Sequence, residues 1–129
     1  MDVGRRFIEA FNAGHLDEAE DLLAPGLTVI AHGSPAIDRD AFIAVMRSLT
    51  QVFDGAHFRI EEEVDAGDTV VQALSFGGKH VGEYLGIAAS NREVSAHQIW
   101  ILHTDGTRIT AIREEWDALG LLRQMQDEA

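Results

Sequence analysis

The residues most able to do chemistry cluster near the C-terminal end, where Arg113, Glu114 and Glu115 are followed by Trp116 and Asp117. If this stretch is extended, alternation puts Arg113, Glu115 and Asp117 on one face and Glu114 with Ile112 and Trp116 on the other. A carboxyl group held against apolar side chains loses hydration of its charged form, so its pKa climbs towards neutrality and it can take and return protons. Arg113 beside these carboxylates could orient a catalytic group through a charge-assisted pair, or form a plain surface or interface ion pair. The six histidines are the second set. His80, within Gly-Lys-His-Val-Gly-Glu, could bind a carbonyl or relay a proton as a neutral imidazole, or simply hydrogen-bond a loop backbone. His97 and His103 share a strand face but stand ~20 Å apart along it, too far to act on one atom. One of them could face a pocket, or both could lie at a subunit interface; His32 ends a strand, and His15 and His57 read as exposed.

Other chemistries lack their signatures. There is no cysteine, hence no disulfide, thiolate nucleophile or Cys-based metal site. No HExxH, EF-hand loop, P-loop, GxSxG or GxGxxG occurs, and no His/Asp/Glu group has metal-ligand spacing, so neither metal nor cofactor is expected. A net charge of -12 argues against nucleic acid and against anionic membrane surfaces, both of which call for Lys and Arg. The N-terminus has no apolar signal-peptide core and no apolar run approaches a membrane span, so a cytoplasmic protein is expected. The 129 residues suit one domain, 1–129, with one core and one small pocket.

The elements that must position these residues follow from periodicity. Val3, Phe7 and Phe11, with Ile8 beside them, form one helical stripe. A short acidic helix follows, ended by Pro25-Gly26, and then a strand from Leu27 to Gly33. Phe42, Val45, Met46 and Leu49 predict a third helix from Asp38 to about Phe53. Period two then predicts strands at His57–Val64, Thr69–Phe76, Glu93–Thr104 and Arg108–Trp116, joined in pairs by the turns Asp65-Ala66-Gly67-Asp68 and Asp105-Gly106. The segment from Gly77 to Asn91 reads as a short strand and a long loop, and a helix from Leu119 to about Gln126 closes the chain. Helices followed by consecutive antiparallel strands make an α+β domain with helices packed on one sheet face. Both faces of Glu93–Thr104 are partly apolar, which suggests that a second subunit covers the outer one and that the protein is a homodimer.

Three segments carry a resemblance: RRFIEAFNAGHLDEAEDLLAPGLTV, GGKHVGEYLGIAASNREVSAHQIWILHTDGTRI and ITAIREEWDALGLLRQM. In order and over nearly the whole chain they resemble the SnoaL-like polyketide cyclases of the nuclear-transport-factor-2-like superfamily. The chain has Ile87-Ala88-Ala89-Ser90-Asn91 where the family usually reads Ile-Pro-Pro-Thr-Gly, and Ala111-Ile112-Arg113 where it often reads Glu-His-Trp. The resemblance implies a cone-shaped, curved antiparallel sheet wrapped around the N-terminal helices, with an apolar pocket for a hydrophobic small molecule. It implies cofactor-independent acid/base catalysis of an intramolecular aldol type, with Asp117 as general acid/base and His80 as its partner. Asp117 also stands where it would cap the last helix, and both roles can coexist. Trp100, Trp116, Phe42, Met46, His97 and Arg113 are the expected substrate-binding set. The alternatives are a non-catalytic binding or accessory domain of the same fold, or an epoxide-hydrolase-like member; the only tyrosine, Tyr84, lies in a loop, which argues against a ketosteroid-isomerase-like site.

Overall fold

The computed structural model describes residues 2–31 and 34–126, so His32 lies outside the described residues. The elements are helix α1 (Val3–Asn12), helix α2 (Leu16–Asp21), strand β1 (Leu23–Ala31), helix α3 (Arg39–Val52), strands β2 (Phe53–Asp65), β3 (Thr69–His80), β4 (Glu93–Thr104) and β5 (Ile109–Trp116), and helix α4 (Ala118–Met125). They form one α+β unit, its five-stranded sheet ordered β1-β5-β4-β3-β2.

Three of the four expected later strands fall within a few residues of their places, and Glu93–Thr104 matches at both ends. The differences have local causes. Pro25-Gly26 does not end α2, which stops at Asp21; it lies inside β1, where the register with β5 shifts between Leu23 and Thr28. That is a place where a strand tolerates proline and glycine. The sheet is mixed rather than wholly antiparallel, because β1 runs parallel to β5. After β1 the chain crosses through α3 to the opposite edge and returns strand by strand, so β5 meets β1 with its direction already set. Residues 77–80, the start of the segment expected to hold a short strand and a long loop, continue β3, with Gly77, Gly78 and Lys79 paired to β4 and His80 to Phe53 of β2.

Helix α1 starts on Asp2, whose carboxylate accepts from Arg5 N–H at 2.8 Å. It buries Val3, Gly4, Phe7, Ile8, Ala10 and Phe11 against the sheet. Gly4 permits this approach: a Cβ there would collide with Leu102 and press on the Gln72 amide. The other end of α1 is pinned by Asn12, which donates to Phe58 O at 2.7 Å and accepts from Phe58 N at 2.8 Å. Helix α3, capped by Asp38 through Ala41 N–H at 2.9 Å, adds Phe42, Ile43, Met46 and Leu49 to the same core. Aromatic rings pack together in this core: Phe7 lies 6.0 Å from Phe42 and 6.3 Å from Trp100, and Phe58 lies 5.3 Å from Trp100. None of the described helices is long and apolar enough to cross a membrane.

Strand β5 ends at Trp116, opposite Gln98, which leaves the first half of β4 without a neighbour on that side. Helix α4 takes the vacant position. The Gln124 amide accepts from Ser95 N and donates to Ser95 O, both at 2.8 Å, doing for β4 what a further strand residue would do. The same helix presents Leu121 to the interior.

Candidate active site

Between α3, α4 and the inner sheet face is a cavity of about 100 Å³. Its apolar wall is Met46 and Leu49 from α3, Phe53 and Phe58 from β2, Phe76 from β3, Trp100 from β4 and Leu121 from α4. Three groups make it chemically interesting: Gln98, Glu114 and Tyr84, with Trp116 beside them.

Glu114 is placed by strand parity. On β5 the inward side chains are Ile112, 2% exposed, then Glu114 and Trp116 two and four residues later. Its neighbours in register are Trp100 on β4 and Ala31 on β1. Burial, with the charge of Glu115 adding to it, pushes the Glu114 carboxyl up to about 7. Among the described residues no hydrogen-bond donor or cation reaches it to offset this. A carboxyl group so placed exchanges a proton readily near neutral pH.

Gln98 lies two residues before Trp100 on the same strand face, and the Trp100 indole N–H donates to its Oε1 at 2.8 Å. That bond fixes the amide orientation and leaves the Gln98 NH₂ as the end able to donate to a ligand oxygen. Tyr84 sits outside the strands, on the segment between β3 and β4, with its ring edge-on to Phe53 at 5.3 Å. The loop position expected to keep this tyrosine from the site in fact brings it into the wall.

The remaining candidates are distributed as follows. Trp100, Trp116 and Met46 line the cavity. Phe42 is 1% exposed and lies behind the wall, stacked on Phe7 and edge-on to Trp100. His97 and Arg113 are exposed on the outer sheet face. No arginine lines the cavity among the described residues, so the Arg–carboxylate pair of an epoxide-opening site is not assembled there. His103, also outside, meets Thr69 Oγ1 at 3.3 Å. Asp117 is exposed at the edge of an outer groove with His97, Glu61 and Glu115, and its Oδ1 accepts from Gly120 N at 2.9 Å as the cap of α4. His80 is fully buried at the end of β3. Ser90 N–H donates to its Nδ1 at 3.1 Å, which assigns the ring proton to Nε2, a buried atom without a partner among the described residues. Neither His80 nor Asp117 lines the cavity, and the two are not brought together. Among the described residues no group of His, Asp and Glu could hold a metal ion.

Comparison with known proteins agrees with this architecture. A family model described as SnoaL-like polyketide cyclase matches residues 1–125. The aklanonic acid methyl ester cyclase DnrD of Streptomyces peucetius is 30% identical over 131 residues, covering 97% of this chain and 89% of DnrD. Among solved structures, IdmH of Streptomyces antibioticus superposes with a TM-score of 0.85 at 21% identity, over 96% of each chain. An epoxide hydrolase of M. tuberculosis superposes less well, at a TM-score of 0.74 and 16% identity, over 97% of this chain and 87% of that one. At these identities the two structures speak for the fold alone, whereas the family model and DnrD span nearly the whole chain, and the chain therefore belongs to the SnoaL-like polyketide cyclase family.

Proposed function

We propose that this protein closes a ring in a hydrophobic, polyketide-like ester by intramolecular aldol chemistry, without a cofactor, and that Glu114 is its general acid/base. The observation that carries this reading is a carboxyl group in an apolar cavity, raised to about 7 and free of any neutralising partner among the described residues. As carboxylate it takes a proton from the carbon next to a carbonyl. The resulting enolate carbon attacks a second carbonyl in the same molecule, and the new alkoxide receives the proton back from Glu114. The product is an isomer of the substrate, so no oxidant, reductant or leaving group is required. The cavity contributes by holding the carbon that loses its proton beside Glu114. Its volume, about 100 Å³, is less than the roughly 150 Å³ that encloses a benzene ring. Only the reacting end is thus enclosed, and the rest of the ligand lies towards Val45, which is 42% exposed at the rim.

Asp117, at the position the family resemblance favours, supports such a site indirectly, since its cap starts the helix that delivers Leu121. His80 supports it through the loop it anchors. The reading also includes a second copy of the chain on the outer sheet face, where Ile99 is 47% exposed beside Ala73. The test of the chemistry is conversion of aklanonic acid methyl ester, the substrate named for DnrD, followed by chromatography with wild type and Glu114→Gln. Turnover by the wild type and its loss in a normally folded variant is the expected result; undiminished turnover in Glu114→Gln would sink the assignment.

A further inference from the structure

Tyr84 is the only tyrosine of the chain, and its hydroxyl makes no hydrogen bond among the described residues. It shares a cavity with Glu114, the one carboxyl group there among the described residues, yet it belongs to a connection between strands. That connection is firmly built. Tyr84 N–H donates to Ile87 O at 3.0 Å and Ile87 N–H to Tyr84 O at 2.9 Å, closing a two-residue turn. Leu85 and Gly86 fill the turn with φ of 52° and 79°, both in the left-handed region, as a type I′ turn requires. A leucine with positive φ is costly and persists only where its surroundings hold it. The surroundings here are explicit. Val81 N–H and Gly82 N–H both donate to Val52 O, at 2.8 and 3.1 Å. At the far end His80 N–H donates to Arg92 O at 2.9 Å, Asn91 N–H to His80 O at 2.8 Å, and Ser90 N–H to His80 Nδ1 at 3.1 Å. The buried His80 thus ties both ends of the segment and acts as a positioning residue for what it carries.

We propose that Tyr84 is a catalytic residue of this site, its hydroxyl donating a hydrogen bond to the substrate oxygen that becomes the enolate. This rests on the assignment of Glu114 as the base. In the step concerned, Glu114 takes the carbon-bound proton, the electron pair of that C–H bond becomes the enolate double bond, and the carbonyl π pair moves onto the oxygen facing Tyr84. The phenol keeps its own proton throughout and stabilises the developing charge. It suits the task because burial, and after it the negative charge of Glu114, hold its ionisation above the ordinary tyrosine range, so it remains a donor at the neutral pH where Glu114 becomes a base. A fixed donor aimed at developing charge in a water-poor site is the most effective kind of stabilisation.

The test uses acetate, which is ionised at neutral pH and small enough for a cavity of about 100 Å³, as a probe for an oxyanion there, with binding followed by isothermal titration calorimetry. In Glu114→Gln the pocket is neutral and the anion binds. In Glu114→Gln/Tyr84→Phe, which keeps the ring against Phe53, affinity falls roughly 10–100-fold, the worth of one hydrogen bond to a charged group. Equal affinity with and without the hydroxyl, or no binding to Glu114→Gln, overturns the proposal; a thermal melt of each variant confirms that it is folded. The same probe examines Glu114 separately. Its affinity for wild type falls as pH rises through about 7 while that of Glu114→Gln stays level. If the fall is missing while the Tyr84 effect remains, the Glu114 assignment fails and the hydroxyl's contact with the anion stands.

Discussion

Glu114 turns one residue's surroundings into a measurable property of the protein. In the unfolded chain its carboxyl ionises in the ordinary glutamate range, whereas in the fold it does so at about 7. Between those values the fold holds a proton that the unfolded chain has lost, so the stability linked to it is complete below the lower value and declines as pH rises through about 7. The loss is at most about 3 kcal/mol. Chemical denaturation across neutral pH is expected to show this decline in wild type and its absence in Glu114→Gln. Activity runs the opposite way, rising through the same pH as the base form appears. Asp117→Ala is expected to cost about 1 kcal/mol through the lost cap, read as a lower melting temperature, with turnover kept. The contrast between these residues was half legible in the sequence. Parity alone put Glu114 with Ile112 and Trp116 and put Asp117 on the other side. Which side holds a cavity depends on how α3 and α4 cover the sheet, and family position pointed to Asp117 instead.

Among elements, those with strong periods were read almost to their ends, as β4 and α3 show. Their signals are local, consisting of alternation, caps and apolar stripes. The segment between β3 and β4 was the least legible, because its shape comes from bonds to Val52 O and His80, far away in sequence or buried, rather than from its own composition. Leu85 is the clearest case: an exposed leucine gives no sign that it occupies a turn favouring Asn, Asp or Gly. Leu85→Asn, which creates an Asn-Gly turn, is expected to raise stability by up to about 1 kcal/mol, measured by denaturant unfolding. His80→Ala works in the other direction. It removes the acceptor for Ser90 N–H, and hydrogen exchange in residues 81–92 is expected to quicken more than in β3 or β4.

For the whole molecule, the outer sheet face is the surface on which the homodimer reading depends. Ile99→Glu places a charge at its centre, and light scattering is expected to shift from dimer to monomer; an unchanged mass in a folded variant counts against a dimer through this face. The sheet order has a consequence of a different kind, in time rather than in space. β2, β3, β4 and β5 pair with strands adjacent in sequence, so they can zip together by closing short loops. β1 can find β5 only across the intervening three strands and α3, in the parallel sense. Contacts of such long range carry the largest closure cost and are expected to form late. Val29→Ala, in the buried part of β1, should therefore speed unfolding while leaving the folding rate nearly unchanged in stopped-flow measurements. The strand that pairs with β5 at Glu114 is then the last to arrive, and the backbone of the proposed base gains its second neighbour only as folding ends.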